Sequence, residues 1–180
     1  MALRPGTHTV GPDSGTPRVN TNRKGMAQKV GHDLIIDVGQ WQAKIEVEED
    51  GSPKAITLEA DPRSLQVRDG QHGLKPVTDT DRAEIRSNID AKILGRQPIA
   101  FSSSATELAD GRLTVRGELT MAGSTRPSSF ELDVAEDGRV SGLLALTQSE
   151  WGVKPYRAFM GALKVRDTVE VVLDVTLPTA

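Results

Sequence analysis

Proton transfer near neutral pH is histidine chemistry, and the chain carries three histidines, His8, His32 and His72, in separate segments. Their spacing is not that of metal ligands, and there is no cysteine to complete a ligand set or to act as a nucleophile. His32 stands beside Asp33, which on paper is half of an acid/base pair. In a strand, however, neighbouring side chains point to opposite faces, so the ordinary reading separates the two. Gly70-Gln71-His72-Gly73 reads either as an anion cradle or, as its composition favours, as a turn. Glu84 and Asp90 fall on a helical pattern and read as solvated charges. No nucleophile elbow, phosphate loop or dinucleotide fingerprint is present.

The residues that stand out instead are aromatic. Only 3% of the chain is aromatic, yet three of its six aromatic residues, Trp151, Tyr156 and Phe159, lie within nine positions of one another. Rings with polar tips collect where an oily interior meets water. Pro155 opposes an uninterrupted strand there, and Gly152 and Gly161 bracket a tight path. We read a plug with a short helical segment near 155–160, lying across the mouth of a sheet. A long closing strand follows, with Val165, Val169, Val171, Leu173, Val175 and Leu177 on one parity and mostly polar residues on the other.

The elements that must hold this plug are mostly strands. Thr7–Val10 and Pro17–Arg23 read as edge strands because proline is confined to edges and strand starts. Gly25–Gly31 reads as one helical turn closed by glycine. From His32 to Glu48 a long strand puts Leu34, Ile36 and Val38 on one face, then flips parity at Gly39-Gln40 to Trp41, Ala43, Ile45 and Val47, as a β-bulge would. Lys54–Asp61 returns with Ile56, Leu58 and Ala60 inward, and residues 62–78 read as an irregular connection. Ile85, Ile89 and Ile93 recur at fourfold spacing, which predicts a helix over Asp81–Leu94 capped by Thr80. Alternating segments follow: Ile99, Phe101, Ser103, Ala105; then Leu113, Val115, Gly117, Leu119, Met121; then Phe130, Leu132, Val134; then Val140, Gly142, Leu144, Leu146. Turn signals every eight to twelve residues predict an antiparallel eight-stranded barrel with one helix as a lid, in a single domain over 1–180.

Composition narrows the function. A net charge of −3 gives no case for nucleic acid across the chain. Residues 1–31 are an exception, with Arg4, Arg18, Arg23, Lys24 and Lys29 against Asp13 alone, and read as a basic edge strand or solvated arm. No apolar run is long enough to span a bilayer, no secretory leader is visible, and the lack of cysteine fits a reducing compartment; the expected location is the cytoplasm.

Four segments, taken together, resemble the YceI-like family. They are Asp81-Arg-Ala-Glu-Ile-Arg86, Pro98-Ile-Ala-Phe-Ser-Ser103, Gly117-Glu-Leu-Thr-Met-Ala-Gly-Ser-Thr-Arg-Pro127, and Ser149-Glu-Trp-Gly-Val153 with Met160-Gly-Ala-Leu-Lys-Val165. The resemblance runs from about Lys29 to Leu177. The histidine-bearing helix signature of exported members is absent, with Ala83, Glu84 and Arg86 in its place. The resemblance implies a lipocalin-like barrel that binds a polyisoprenoid or isoprenoid quinone, and it suggests a dimer. The expected function is therefore non-enzymatic carriage or storage of a long apolar ligand. Its expected contacts are Leu34, Ile36, Val38, Trp41, Phe101, Leu113, Val115, Leu119, Phe130, Leu132, Leu144, Leu146, Trp151, Tyr156, Phe159, Met160, Val169, Val171 and Leu173. No catalytic residue, metal or cofactor beyond such a lipid is expected. Two alternatives stay open: an enzyme on a small apolar substrate using His32 or His72, and an interaction module with a structural interior and the basic segment as its contact surface.

Overall fold

A computed structural model describes residues 3–178. The chain begins β1 (Gly6–Val10), β2 (Arg18–Thr21) and β3 (Arg23–Lys24), then β4 (Asp33–Val38), β5 (Trp41–Val47), β6 (Pro53–Ala60) and β7 (Leu65–Gln71). Helix α1 (Asp79–Asn88) runs on through a wider π turn, Ile89–Ile93. The long strands β8 (Ile99–Ala109), β9 (Arg112–Met121), β10 (Ser124–Val134) and β11 (Arg139–Thr147) follow as a meander, and β12 (Arg157–Ala158), β13 (Leu163–Val165) and β14 (Thr168–Thr176) finish the chain.

One antiparallel sheet of eleven strands, in the order β1-β5-β6-β8-β9-β10-β11-β14-β2-β4-β7, curls around the core. The expected closed barrel of eight strands is not formed. Its long runs are there, but three of them bend: β1 leads to β2, β4 to β5 and β6 to β7, and each bend cuts one run into two ladders. Two of the bends stack: Gly39 N–H donates to the Ser64 carbonyl over 3.1 Å, and Asp61 N–H to the Gln40 carbonyl over 3.0 Å. The parity flip at Gly39-Gln40 is thus a corner rather than a bulge, and it keeps both Val38 and Trp41 buried. The ladder ends in two edges, β1 and β7. β2 is not an edge as expected, because β14 and β4 pair on either side of it.

The wall is uneven at one further place. β10 pairs with β9 from Ser124 to Asp133, but meets β11 only at Asp133↔Ser141 and Val134↔Val140. β11 pairs fully with β14, where Arg139 clasps Asp174 by two hydrogen bonds of 2.8 and 2.7 Å.

Three other expectations need correction. Residues 62–78 are not wholly irregular: β7 lies there, with Leu65 and Val67 buried against β4. The helix cap is Thr78, not Thr80. The Thr78 hydroxyl accepts from Asp81 N–H at 3.2 Å while the Asp81 carboxylate accepts from Thr78 N–H at 2.8 Å. The bond from Thr78 N–H, and after it one from the Thr78 hydroxyl to the same carboxylate, hold the Asp81 carboxyl below its usual range. Finally, the closing strand does not run unbroken from Val165. The chain turns at Arg166-Asp167, where the Asp167 carboxylate accepts from Ser149 N–H at 2.8 Å. β13 instead joins β12 and β3 in a separate three-stranded sheet. The glycine-closed turn before His32 is present as Gln28–Val30, capped by Gly31.

The helix is fastened to the edge strand β7 by arginine. The Arg82 guanidinium donates to the carbonyls of Val77 at 2.8 Å and Val67 at 3.3 Å, and Arg86 Nε donates to the Arg63 carbonyl at 2.7 Å. This turns Ile85, Ile89 and Ile93 toward the sheet's hollow.

Candidate functional site: an apolar cavity and its mouth

The hollow of the curled sheet is a cavity of about 720 Å³, in the upper part of the usual range for small-molecule sites. Strands from all around the sheet line it, and the helix isoleucines line it from the mouth side. Its wall is made of Val, Leu and Ile because alternate residues of each strand face inward. Two rings stiffen it: Phe101 and Phe130 stand 5.2 Å apart at their centroids, tilted by 57°.

Of the expected contacts, Leu34, Ile36, Val38, Trp41, Phe101, Leu113, Leu119, Phe130, Leu132, Leu144, Leu146, Tyr156, Val169, Val171 and Leu173 line this cavity. Four do not. Val115 is sealed in packing with no exposed surface. Trp151 is buried away from the cavity, its indole N–H donating 2.8 Å to the Leu119 carbonyl. Phe159 and Met160 face solvent, with 65% and 107% relative exposure. Both sit in the left-handed region, at φ 49° and 53°, so the backbone turns them out of the mouth instead of across it. The predicted plug is therefore only partly a plug: Trp151 and Val153 are core, Tyr156 lines the opening, and Phe159 and Met160 stand outside it. The helical segment near 155–160 is a single tight turn, Phe159–Gly161.

Sequence reasoning missed part of the lining. Leu3, Val10 and Val19 line it from a segment read as an edge or arm, and Leu65 and Val77 from one read as a loop. Pro and Gly at close spacing masked the two-residue period there. The helix isoleucines were legible by spacing and belong to the lining as well.

The mouth is polar on one side. Asp33, not His32, holds the acid/base geometry: its Oδ2 accepts from Arg23 Nη1 at 2.9 Å and lies 2.8 Å from His72 Nδ1, while Oδ1 accepts from Arg23 N–H at 2.7 Å. Partial burial pushes the Asp33 carboxyl up, but these hydrogen bonds and the guanidinium charge outweigh it and hold it below its usual value. His32 turns away, its Nε2 lying 2.6 Å from the Lys75 carbonyl oxygen. A Cβ at Gly73 would collide with the His32 ring, and one at Gly70 with Val77. The Gly70–Gly73 segment is accordingly a close-packed strand end and turn. Among the described residues no cluster of His, Asp and Glu could hold a metal ion. No helix there is long and apolar enough to cross a membrane.

A curled antiparallel sheet around one apolar cavity, with a helix beside its mouth, defines a binding protein of the lipocalin-like class. The model of the YceI-like domain matches residues 18–177, and the chain belongs to that family. Among solved structures, Burkholderia cenocepacia BcnA is similar at 15% identity, over 90% of this chain and 96% of that one, with a TM-score of 0.64. A Campylobacter jejuni YCEI protein is similar at 12% identity over 77% and 80%, with a TM-score of 0.56. A mutant of that protein carrying a monobromobimane guest is similar at 14% identity over the same shares, with a TM-score of 0.54. These likenesses show the fold. No curated protein matches the chain.

Proposed function

We propose that the protein binds, and carries or stores, one long apolar molecule in its cavity, of the polyisoprenoid or isoprenoid-quinone class. The observation behind this reading is a hollow of about 720 Å³ whose lining is overwhelmingly aliphatic and includes the half-exposed Tyr156. Burying a CH₂ contributes about 0.8 kcal/mol, so a five-carbon prenyl unit contributes roughly 3–4 kcal/mol before losses. A few such units reach tight binding even after the chain's freedom is lost. No reactive group need touch the ligand, and such a wall discriminates length and girth more sharply than head-group chemistry.

Organic extraction of freshly purified protein, read by mass spectrometry, tests this. An elongated isoprenoid in near one-to-one amount is the expected result; phospholipid only, or nothing, contradicts it. A bulky residue inside the wall, Val171→Trp, should abolish the retained molecule while leaving the protein folded.

One observation favours a second reading, an enzyme on a small apolar substrate: the 2.8 Å pair of His72 and Asp33, held next to the cavity-lining Arg23. The same carboxylate is held by Arg23, which gives it a structural occupation. An activity that survives His72→Ala unchanged removes this reading.

A further inference from the structure

Three loops surround the mouth: residues 24–31, 72–77 and 154–165. Two of them touch directly, for Ala27 N–H donates to the Ala162 carbonyl at 2.9 Å and Gly31 packs against Leu163; the third packs through Gly73 against His32, the residue that follows Gly31. Six of the chain's exposed or half-exposed large apolar side chains belong to these loops: Met26, Val30, Leu74, Tyr156, Phe159 and Met160. Scattered singly, such residues need no explanation; gathered on one rim, they mark a contact surface.

Charge says what kind. The three loops contain Lys24, Lys29, Lys75, Lys154, Arg157 and Lys164 and no Asp or Glu, in a chain whose acids outnumber its bases. Three of these cations form a row. In the small sheet Arg157 is the direct partner of Lys164, and Lys164 the direct partner of Lys24. Directly opposed side chains share a face, and like charges so placed repel. None of the three forms an ion pair among the described residues. Of the acids that lie close to the mouth, Asp33 is engaged with Arg23 and His72 and Asp81 with Thr78, while Glu84 on the helix is exposed and pairs with none of the row. The cation row is thus without an ion-pair partner among the described residues, beside apolar tips that a tight left-handed turn aims outward.

We propose that this rim docks the mouth of the cavity onto an anionic lipid bilayer. The apolar tips, Phe159 and Met160 foremost, enter the boundary between headgroups and acyl chains, and the row Arg157–Lys164–Lys24 lies against lipid phosphates. The basic bias at the start of the chain is thereby assigned a use in Lys24 and Lys29. The inference goes beyond cavity binding and does not require it.

Flotation of ligand-stripped protein with vesicles decides it, comparing phosphatidylcholine alone with equal parts of phosphatidylcholine and phosphatidylglycerol. The expected result is co-flotation with the anionic vesicles only, weakening as salt is raised. Lys24→Ala and Lys164→Ala should each lower partitioning by roughly fivefold, and Phe159→Ser with Met160→Ser should lower it below detection. Lys24, Phe159 and Met160 are exposed and Lys164 is half-buried at the rim, so thermal unfolding of the variants should match the parent protein, with Lys164→Ala the one to check first. Equal binding to both vesicle types, or variants that bind as the parent does, overturns the proposal. So does a concentration-dependent dimer in sedimentation that Phe159→Ser with Met160→Ser dissociates, because the rim then covers a second copy of the chain. With stripped protein and ligand-free vesicles, failure here leaves the cavity assignment standing, and an empty cavity leaves the docking result standing.

Discussion

The two flanks of β10 are built differently. Toward β9 it is hydrogen-bonded along ten consecutive partners, and Phe130 on this strand packs against Phe101 of β8. Toward β11 it has two partners, and beyond them Phe130, Glu131, Gly142, Leu143 and Leu144 line both the interior cavity and a groove on the outside. One flank is a wall of backbone ladders; the other is a seam where side chains alone separate the interior from the outside. Pro127 has no N–H to offer such a ladder. Gly142 approaches closely, for a Cβ there would lie 2.6 Å from Leu132 Cδ2 and 2.9 Å from the Glu131 carbonyl. Between its β1 and β7 edges the sheet is ladder-bonded except along this line, which should therefore yield before the rest of the wall does. The wall sets the fold, and the seam is where it is least bonded.

The largest expected effect lies in the wall. Phe101→Ala removes a ring that is 7% exposed and flanked by Leu58 and Leu119 as ladder partners. It should cost about 3–5 kcal/mol by denaturant unfolding. Leu144→Ala, beside the seam, should cost less than half as much, because its surroundings close up around the loss. Equal costs would erase the distinction between the two flanks.

A middle-sized contrast comes from adding a methyl group. At Gly117 the new Cβ would run into the Ser102 carbonyl and lie 2.7 Å from Phe101 Cζ. Gly117→Ala should therefore lose about 1–3 kcal/mol. Gly142→Ala presses on β10 across the seam and should lose less. If Gly142→Ala is the more damaging of the two, the seam is rigid.

The smallest effect is at the mouth and depends on pH. The Asp33 carboxyl lies below its ordinary value of 3.8 in the folded protein. The unfolded chain therefore binds its proton first as pH falls. The stability that this carboxylate draws from Arg23 is fully present above 3.8 and drains away as pH drops through the lower folded value. The stability gap between the parent protein and Asp33→Asn, measured by thermal unfolding, should be constant near neutrality and close below that point. A gap that persists into strong acid would show that the carboxylate's charge plays no part.

Much of this was legible in the chain. The two-residue rhythm of Leu113–Met121 and of Val169–Val175 located wall strands, and Ile85, Ile89 and Ile93 located the helix face. What sequence could not show is tertiary in origin. Asp33 meets His72 only because β4 pairs with β7, and β7 itself was hidden by Gly70, Gly73 and Pro76. Trp151 looked like a ligand contact because it is large and near a predicted mouth, but a single carbonyl of β9 claims its N–H. Phe159 and Met160 looked interior by composition. Their side chains point outward because of a backbone conformation that neither residue type favours, which no pattern of polarity reveals.

Whether the hollow holds an elongated apolar molecule is tested most directly by a crystal structure of the protein as purified, without added ligand. Continuous, branched-chain density from Ile36 and Phe101 past Val171 to the opening at Tyr156 is the result expected. A hollow occupied by ordered water, or collapsed until its side chains meet, would contradict it.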